Sequence, residues 1–315
     1  PGSAAQVLSR IAESLYWLGR YVERAEDTAR ILDVHYHLLL EDRWVDEASA
    51  CRALAEVMGL AERTSAGTDS VLLTGILAFN HDYPGSIVRC LEAAWENGRG
   101  AREAVSSEMW ECLNATHEAL PKEVEVATGQ MPHGFFGWVK ERTAILAGLS
   151  ESTMSRDEGW RFLVLGRSLE RVDMTARLLS ARYGESWGQM GWVTTLRSCS
   201  AYEAYLRTYQ RAVDSSSAAE FLVLDRLFSR SLYFSLRTAE NCLEELDPTA
   251  GRVGIGDEAR RHLGQARAQL EFTSVADLVG DLPNRLAHVQ KRCSDASAAI
   301  SDRYFRPAAI VEWSA

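Results

Sequence analysis

The sequence predicts an all-α protein, a single elongated helical bundle built from two duplicated halves related by a pseudo-two-fold axis. Three features carry that reading: a heptad stripe near the amino end, the near absence of strand-length β-branched alternation, and a self-match at a constant offset. Leu8, Ile11, Leu15, Leu18, Val22, Ala25, Ala29, Leu32, Tyr36 and Leu39 recur at alternating steps of three and four, which places them on one helical face. They predict one helix of about 33 residues and roughly 50 Å, suited to the spine of a bundle. Breakers come later. Gly67–Asp69, Asn80–Gly85, Pro121–Gly137, Gly184–Gly191, Asp214–Ser217 and Asp247–Gly256 collect the Gly, Pro, Ser and Asp that punctuate helices. The runs between them read as helices, which favours all-α over α/β.

The repeat is the strongest signal. Leu18-Gly19-Arg20, Glu23-Arg24 and Thr28-Ala29-Arg30 return as Leu165-Gly166-Arg167, Glu170-Arg171 and Thr175-Ala176-Arg177, always 147 positions later. The apolar stripe returns as Phe162, Leu165, Leu169, Val172, Ala176 and Leu179. Ser86-Ile87, Leu91 and Ala94 echo Ser231-Leu232, Leu236 and Ala239 with a small slip in register. A gene duplication accounts for this, with a first helical repeat over 1–147 and a second over 148–315 forming one compact domain.

Composition narrows the function. A chain of 315 residues buries about three quarters of its unfolded surface without staples. A net charge of −10 argues against nucleic-acid or anionic-membrane partners, which need a dense positive surface. Only Lys122, Lys140 and Lys291 are lysine, and no G-x-x-x-x-G-K-[ST] phosphate loop occurs. Six cysteines scattered singly read as buried thiols of a cytoplasmic protein. The most apolar run, Val71–Phe79, is far shorter than a bilayer span. The histidines form no H-E-x-x-H, His35 and His37 point to different sides of a helix, and no Glu-x-x-His tetrad is present. No metal or cofactor is expected, and a ferritin-like oxidase is disfavoured.

On the first helix Tyr16, Glu23 and Arg30 fall seven apart on a second face with Arg20 beside them, and Trp17, Arg24 and Ile31 form the neighbouring row. Two faces of fixed residue type imply a spine surrounded by other helices, with the Glu-Arg pair partly buried. Three readings are open. Arg20–Glu23 and Glu26–Arg30 make local pairs at helical spacing. Alternatively, Glu23 meets Arg171 and Glu170 meets Arg24 across the pseudo-axis, a lock whose buried partners cost about 3–5 kcal/mol to break. In the third, Arg20, Arg24, Arg167 and Arg171 present forks to a carboxylate or phosphate. Arg30 and its repeat Arg177 belong to the same candidate cluster. A second cluster, Ser107, Glu108, Glu111 and Asn114 with Trp110, lines one helical side, either as a cation site or as a capped, solvated turn.

The run from Ser14 to Arg30, the later Leu165-Gly166-Arg167-Ser168-Leu169-Glu170-Arg171, Ser106 to Glu111 and the closing Ser301-Asp302-Arg303-Tyr304-Phe305 resemble the bacterial Alpha-E family, an all-helical domain named for its Glu-Arg motif. The likeness runs from about Leu8 to Phe305. It departs where Leu163 and Val164 replace Tyr16 and Trp17 in the second copy. The resemblance implies company with a circularly permuted ATP-grasp ligase, often beside a transglutaminase-like peptidase, and hence peptide or amide-bond synthesis. The leading expectation is a non-catalytic accessory subunit that docks the ligase or presents its substrate, using arginine forks and exposed aromatics such as Trp138, Trp187 or Trp313. The alternative is an enzyme or ligand-binding component whose Glu-Arg cleft takes an amide, peptide or amino acid, with Glu23 as base and Arg24 as oxyanion clamp.

Overall fold

The computed structural model describes the backbone of residues 2–41, 44–60, 68–129, 132–183, 188–248, 253 and 256–306, and the side chains of these from Ser9 onward apart from 182–183 and 188–190. Among the described residues every regular element is a helix. The heptad stripe forms α1 (Gly2–Glu41), longer than the stripe alone implies. Then follow α2 (Glu47–Val57), α3 (Ser70–Thr74) running into a π-helical turn at Gly75–Phe79, α4 (Ile87–Gly100), α5 (Ser107–Gly129) and α6 (His133–Thr153). The second part holds α7 (Glu158–Tyr183), α8 (Gly188–Ser198), α9 (Tyr202–Tyr209), α10 (Ser215–Leu224), α11 (Leu232–Leu246), α12 (Glu258–Glu271), α13 (Val275–Gly280) and α14 (Leu282–Ile300), which ends in a π-helical turn at Ser301–Phe305.

The breakers act where short polar side chains can cap. Asp46, Asp69, Ser86, Asp214, Ser231, Asp257 and Ser274 each accept a hydrogen bond from a backbone N–H three residues on, which satisfies a donor that the helix itself leaves open. Pro121 is the exception. The expected break at Pro121 does not occur, and α5 runs through it to Gly129. Leu120 and Ala127 are buried on either side, so packing holds the helix across the missing N–H. The real break comes at Pro132, directly ahead of α6.

The core begins along α1 and α7. Leu15, Leu18, Ala25, Ala29 and Leu32 on α1 and Leu165, Leu169, Val172, Ala176 and Leu179 on α7 are all buried. Tyr16, Glu23 and Ile31, on the other faces of α1, are buried too, so the spine is surrounded as its two-faced pattern implies. Besides each other, α1 packs against α4 and α6, with α5 bridging those two, while α7 packs against α11 and α14, with α12 bridging those two. The six cysteines are buried thiols. No helix among the described residues is long and apolar enough to cross a membrane.

Candidate functional site

The Glu-Arg motifs lie where α1 crosses α7. Gly19 and Gly166 make the crossing: a Cβ on Gly19 would overlap the Leu163 carbonyl oxygen, and one on Gly166 would overlap that of Tyr16. Only a residue without a side chain lets two backbones approach this closely. Tyr16 meets Gly166 and, further along, Glu23 meets Arg171, so the two helices run parallel. One turn beyond the glycines, each motif therefore faces the other.

The first centre surrounds Glu170, which is 1% exposed. Arg24 grips it with two bonds, Nε to Oε1 at 2.5 Å and Nη2 to Oε2 at 2.9 Å. Arg20 adds Nε to Oε2 at 2.8 Å. Arg20 Nη1 also donates to the Tyr16 hydroxyl at 3.2 Å, and that hydroxyl donates to Ser297 Oγ on α14 at 3.2 Å. Burial alone would push the Glu170 carboxyl up, but the two guanidiniums outweigh it and hold the group below its ordinary range. A buried carboxylate with this many charge-assisted bonds stays ionised.

The second centre surrounds Glu23, also 1% exposed. Arg171 Nε donates to its Oε1 at 2.6 Å, and Arg230 Nη1 lies 2.8 Å from the same oxygen. Arg230 stands directly ahead of α11 and reaches three acids, with Glu26 Oε1 and Asp27 Oδ1 each at 2.5 Å. Burial would push Glu23 up, yet Arg171 and Arg230 bring it down to about 2. Asp27 goes the other way. Its burial pushes it up to about 8 against the pull of Arg230, with Glu23 and Glu26 adding to the rise.

The crossed reading of the motif is the one realised: Glu23 pairs with Arg171 and Glu170 with Arg24. The local Glu26–Arg30 pair forms at 2.6 Å and its counterpart Asp173–Arg177 at 2.9 Å. The local Arg20–Glu23 pair is replaced by Arg20–Glu170. A surface pair at helical spacing is worth only a few tenths of a kcal/mol, whereas a buried carboxylate without a cation is far costlier. Arg167 reaches Glu151 at 2.9 Å and adds to the positive potential at Glu23.

Space distinguishes the centres. Beside Glu23 only about 20 Å³ is open, room for a single water. Beside Glu170 a cavity of about 320 Å³ opens between Arg24, Tyr83, Gly85, Asp173 and Arg177. Neither glutamate suits a general base, because the arginine donors that saturate each carboxylate also lower its proton affinity.

The second candidate cluster does not converge. Ser106 caps α5 through the Met109 N–H, while Ser107, Glu108 and Glu111 face solvent. Asn114 instead accepts from Trp95 Nε1 at 3.1 Å and donates to Glu118 at 2.7 Å, and Trp110 stacks on Trp95. This is the capped, solvated turn. Trp138 is half-buried against Phe135 and not an exposed docking aromatic, because the core draws its ring inward. Trp187 and Trp313 lie outside the described residues.

Sequence reasoning missed Arg230 and Asp27. Arg230 precedes Ser231, whose match is Ser86, so its aligned neighbour is Gly85 and self-comparison passes over it. The one available signal was Asp27 itself, an acid inside the repeated stretch whose counterpart is Met174.

A parallel helical pair with glycine crossing points and exchanged Glu-Arg pairs defines a helical domain organised around that dipeptide. The chain belongs to the Alpha-E family, described as a predicted alpha-helical domain with a conserved ER motif, whose family model matches residues 7–305. Similar curated proteins include uncharacterized proteins of Mycobacterium bovis and Mycobacterium tuberculosis, each 24% identical over 329 residues that cover 95% of this chain and 37% of the relative. The chain thus spans little more than a third of the length of these relatives. No solved structure matches it.

Proposed function

We propose that this Alpha-E chain is a non-catalytic, cytoplasmic accessory domain that docks a circularly permuted ATP-grasp amide ligase or presents its peptide substrate. The observation that carries the non-catalytic part is the saturation of both buried motif glutamates by arginines, which leaves a lock where a catalyst would need a free base. The matched region is 37% of the mycobacterial relatives, so there the domain is attached to more polypeptide than its own length, as befits an accessory module. A transglutaminase-like peptidase is a further candidate partner.

The proposal includes the duplication, with halves 1–147 and 148–315 about a pseudo-two-fold axis. The reciprocal glycine contacts and the exchanged Glu-Arg pairs support it. So do the turns ahead of α4 and α11: Ser86 Oγ donates to the Asn80 carbonyl at 2.6 Å as Ser231 Oγ does to that of Asp225 at 2.5 Å. The Asp82 and Leu227 N–H groups likewise donate to the side chains of Asn80 and Asp225 at 2.8 and 2.9 Å.

The cavity beside Glu170 favours a second reading, a binding site for a zwitterionic amino acid or peptide lined by Arg24 and by the Asp173–Arg177 pair. Size-exclusion chromatography of the chain mixed with the ATP-grasp ligase of its own organism tests the first reading. Co-elution is expected, and separate elution of two folded proteins overturns it. Calorimetry with dipeptides, on the chain and on Arg177→Ala, tests the second.

A further inference from the structure

We propose that Asp33, His37 and His133 form a three-ligand site for a zinc-class transition-metal ion that clamps α1 to α6. Asp33 and His37 are one helical turn apart on α1 and so share a face, while His133 opens α6. His133 Nδ1 lies 2.6 Å from Asp33 Oδ1 and 3.2 Å from His37 Nε2, and His37 Nε2 lies 3.7 Å from Asp33 Oδ1. Ligands about 2.0–2.1 Å from zinc at tetrahedral angles stand about 3.3 Å from one another. The three separations bracket that value.

The surroundings hold the ligands in place. Asp33 is buried, and its second oxygen accepts from Lys140 Nζ on α6 at 2.5 Å, an outer contact of the kind that orients a metal-bound carboxylate. The His37 and His133 rings meet edge to face at 81°, and Tyr36 lies nearly parallel to the His133 ring at 13°. Two ring nitrogens and a carboxylate oxygen gathered within 3.7 Å of one another are electron-pair donors that a cation brings together. Two imidazoles with one carboxylate select zinc, cobalt or nickel over magnesium or calcium. His133 is exposed, so a fourth position is open to water. His37 and His133 are 96 residues apart in the chain, which hid the site from any reading of motif spacing.

The test uses the tag-free chain stripped with chelator, titrated with zinc chloride by calorimetry and with cobalt chloride by visible absorption. One ion per chain is expected, with the ligand-field bands of low-coordinate cobalt and a rise in Tm on adding zinc. His37→Ala and His133→Ala should each weaken zinc binding at least about tenfold, while His81→Ala, which breaks only an exposed contact to Glu92, leaves it unchanged. Circular dichroism verifies that His133→Ala, a change at an exposed position, keeps the fold. No zinc binding by the parent chain, or equal binding by the His37→Ala, His133→Ala double variant, overturns the proposal.

Discussion

The two Glu-Arg centres share a plan and differ in how they are finished. Around Glu23 the turn ahead of α11 contributes Arg230, which spans Glu23, Glu26 and Asp27 and leaves space for one water. Around Glu170 the second arginine is Arg20, from the same helix as Arg24, and Gly85 stands at the position aligned with Arg230. There the cavity is about 320 Å³. Both carboxylates are neutralised, but one centre is closed by tertiary structure and the other opens onto a cleft. In the proposed duplication each centre takes its glutamate from one half and its arginines from the other, and it is the Glu170 centre that keeps a binding-sized space beside it.

The largest expected effect falls on the closed centre. Arg230→Ala removes the buried cation shared by Glu23, Glu26 and Asp27 in a centre with room for one water, leaving Glu23 to Arg171 and Glu26 to Arg30, and should cost about 3–5 kcal/mol in urea unfolding. Arg24→Ala should cost clearly less, because Arg20 still pairs with Glu170 and the cavity admits water. Equal losses would erase the distinction. Next come the crossing points. Gly19→Ala or Gly166→Ala forces α1 and α7 apart and should cost about 1–3 kcal/mol, and a neutral result at both would refute the close crossing.

The smallest effect is a change in the shape of the pH profile. Asp27 is raised from 3.8 to about 8 on folding. Between those values the native state holds a proton that the unfolded chain has released, so this group makes stability fall as pH rises through that window. Glu23 is lowered from 4.5 to about 2, and its contribution is complete above 4.5 and lost as pH falls toward 2. Asp27→Asn should flatten the decline between pH 4 and 8 while leaving the acid limb in place, as read by unfolding midpoints. An unchanged slope would show that Asp27 is ionised throughout.

The spine and its lock were legible because both are written locally and then repeated. The heptad stripe of α1 needs no partner to be read, and a repeat at 147 positions places Glu23-Arg24 opposite Glu170-Arg171 if the two copies pack together. The closure of one centre was not legible. Arg230 lies 203 positions from Asp27 and aligns with a glycine, so neither periodicity nor repetition points to it. Pro121 misled for a related reason: its local cost is real, but the buried residues flanking it in α5 decide the outcome. The Ser107–Asn114 row shows the converse, since correct helical spacing does not make side chains converge when their helix face is solvated.

A double-mutant cycle on Glu23→Gln and Arg171→Gln, read by urea unfolding, tests the exchanged lock most directly. The account predicts a coupling of about 1–3 kcal/mol between these residues, 148 positions apart. Losses that add to within about 0.5 kcal/mol would contradict it, since independent sites behave in that way.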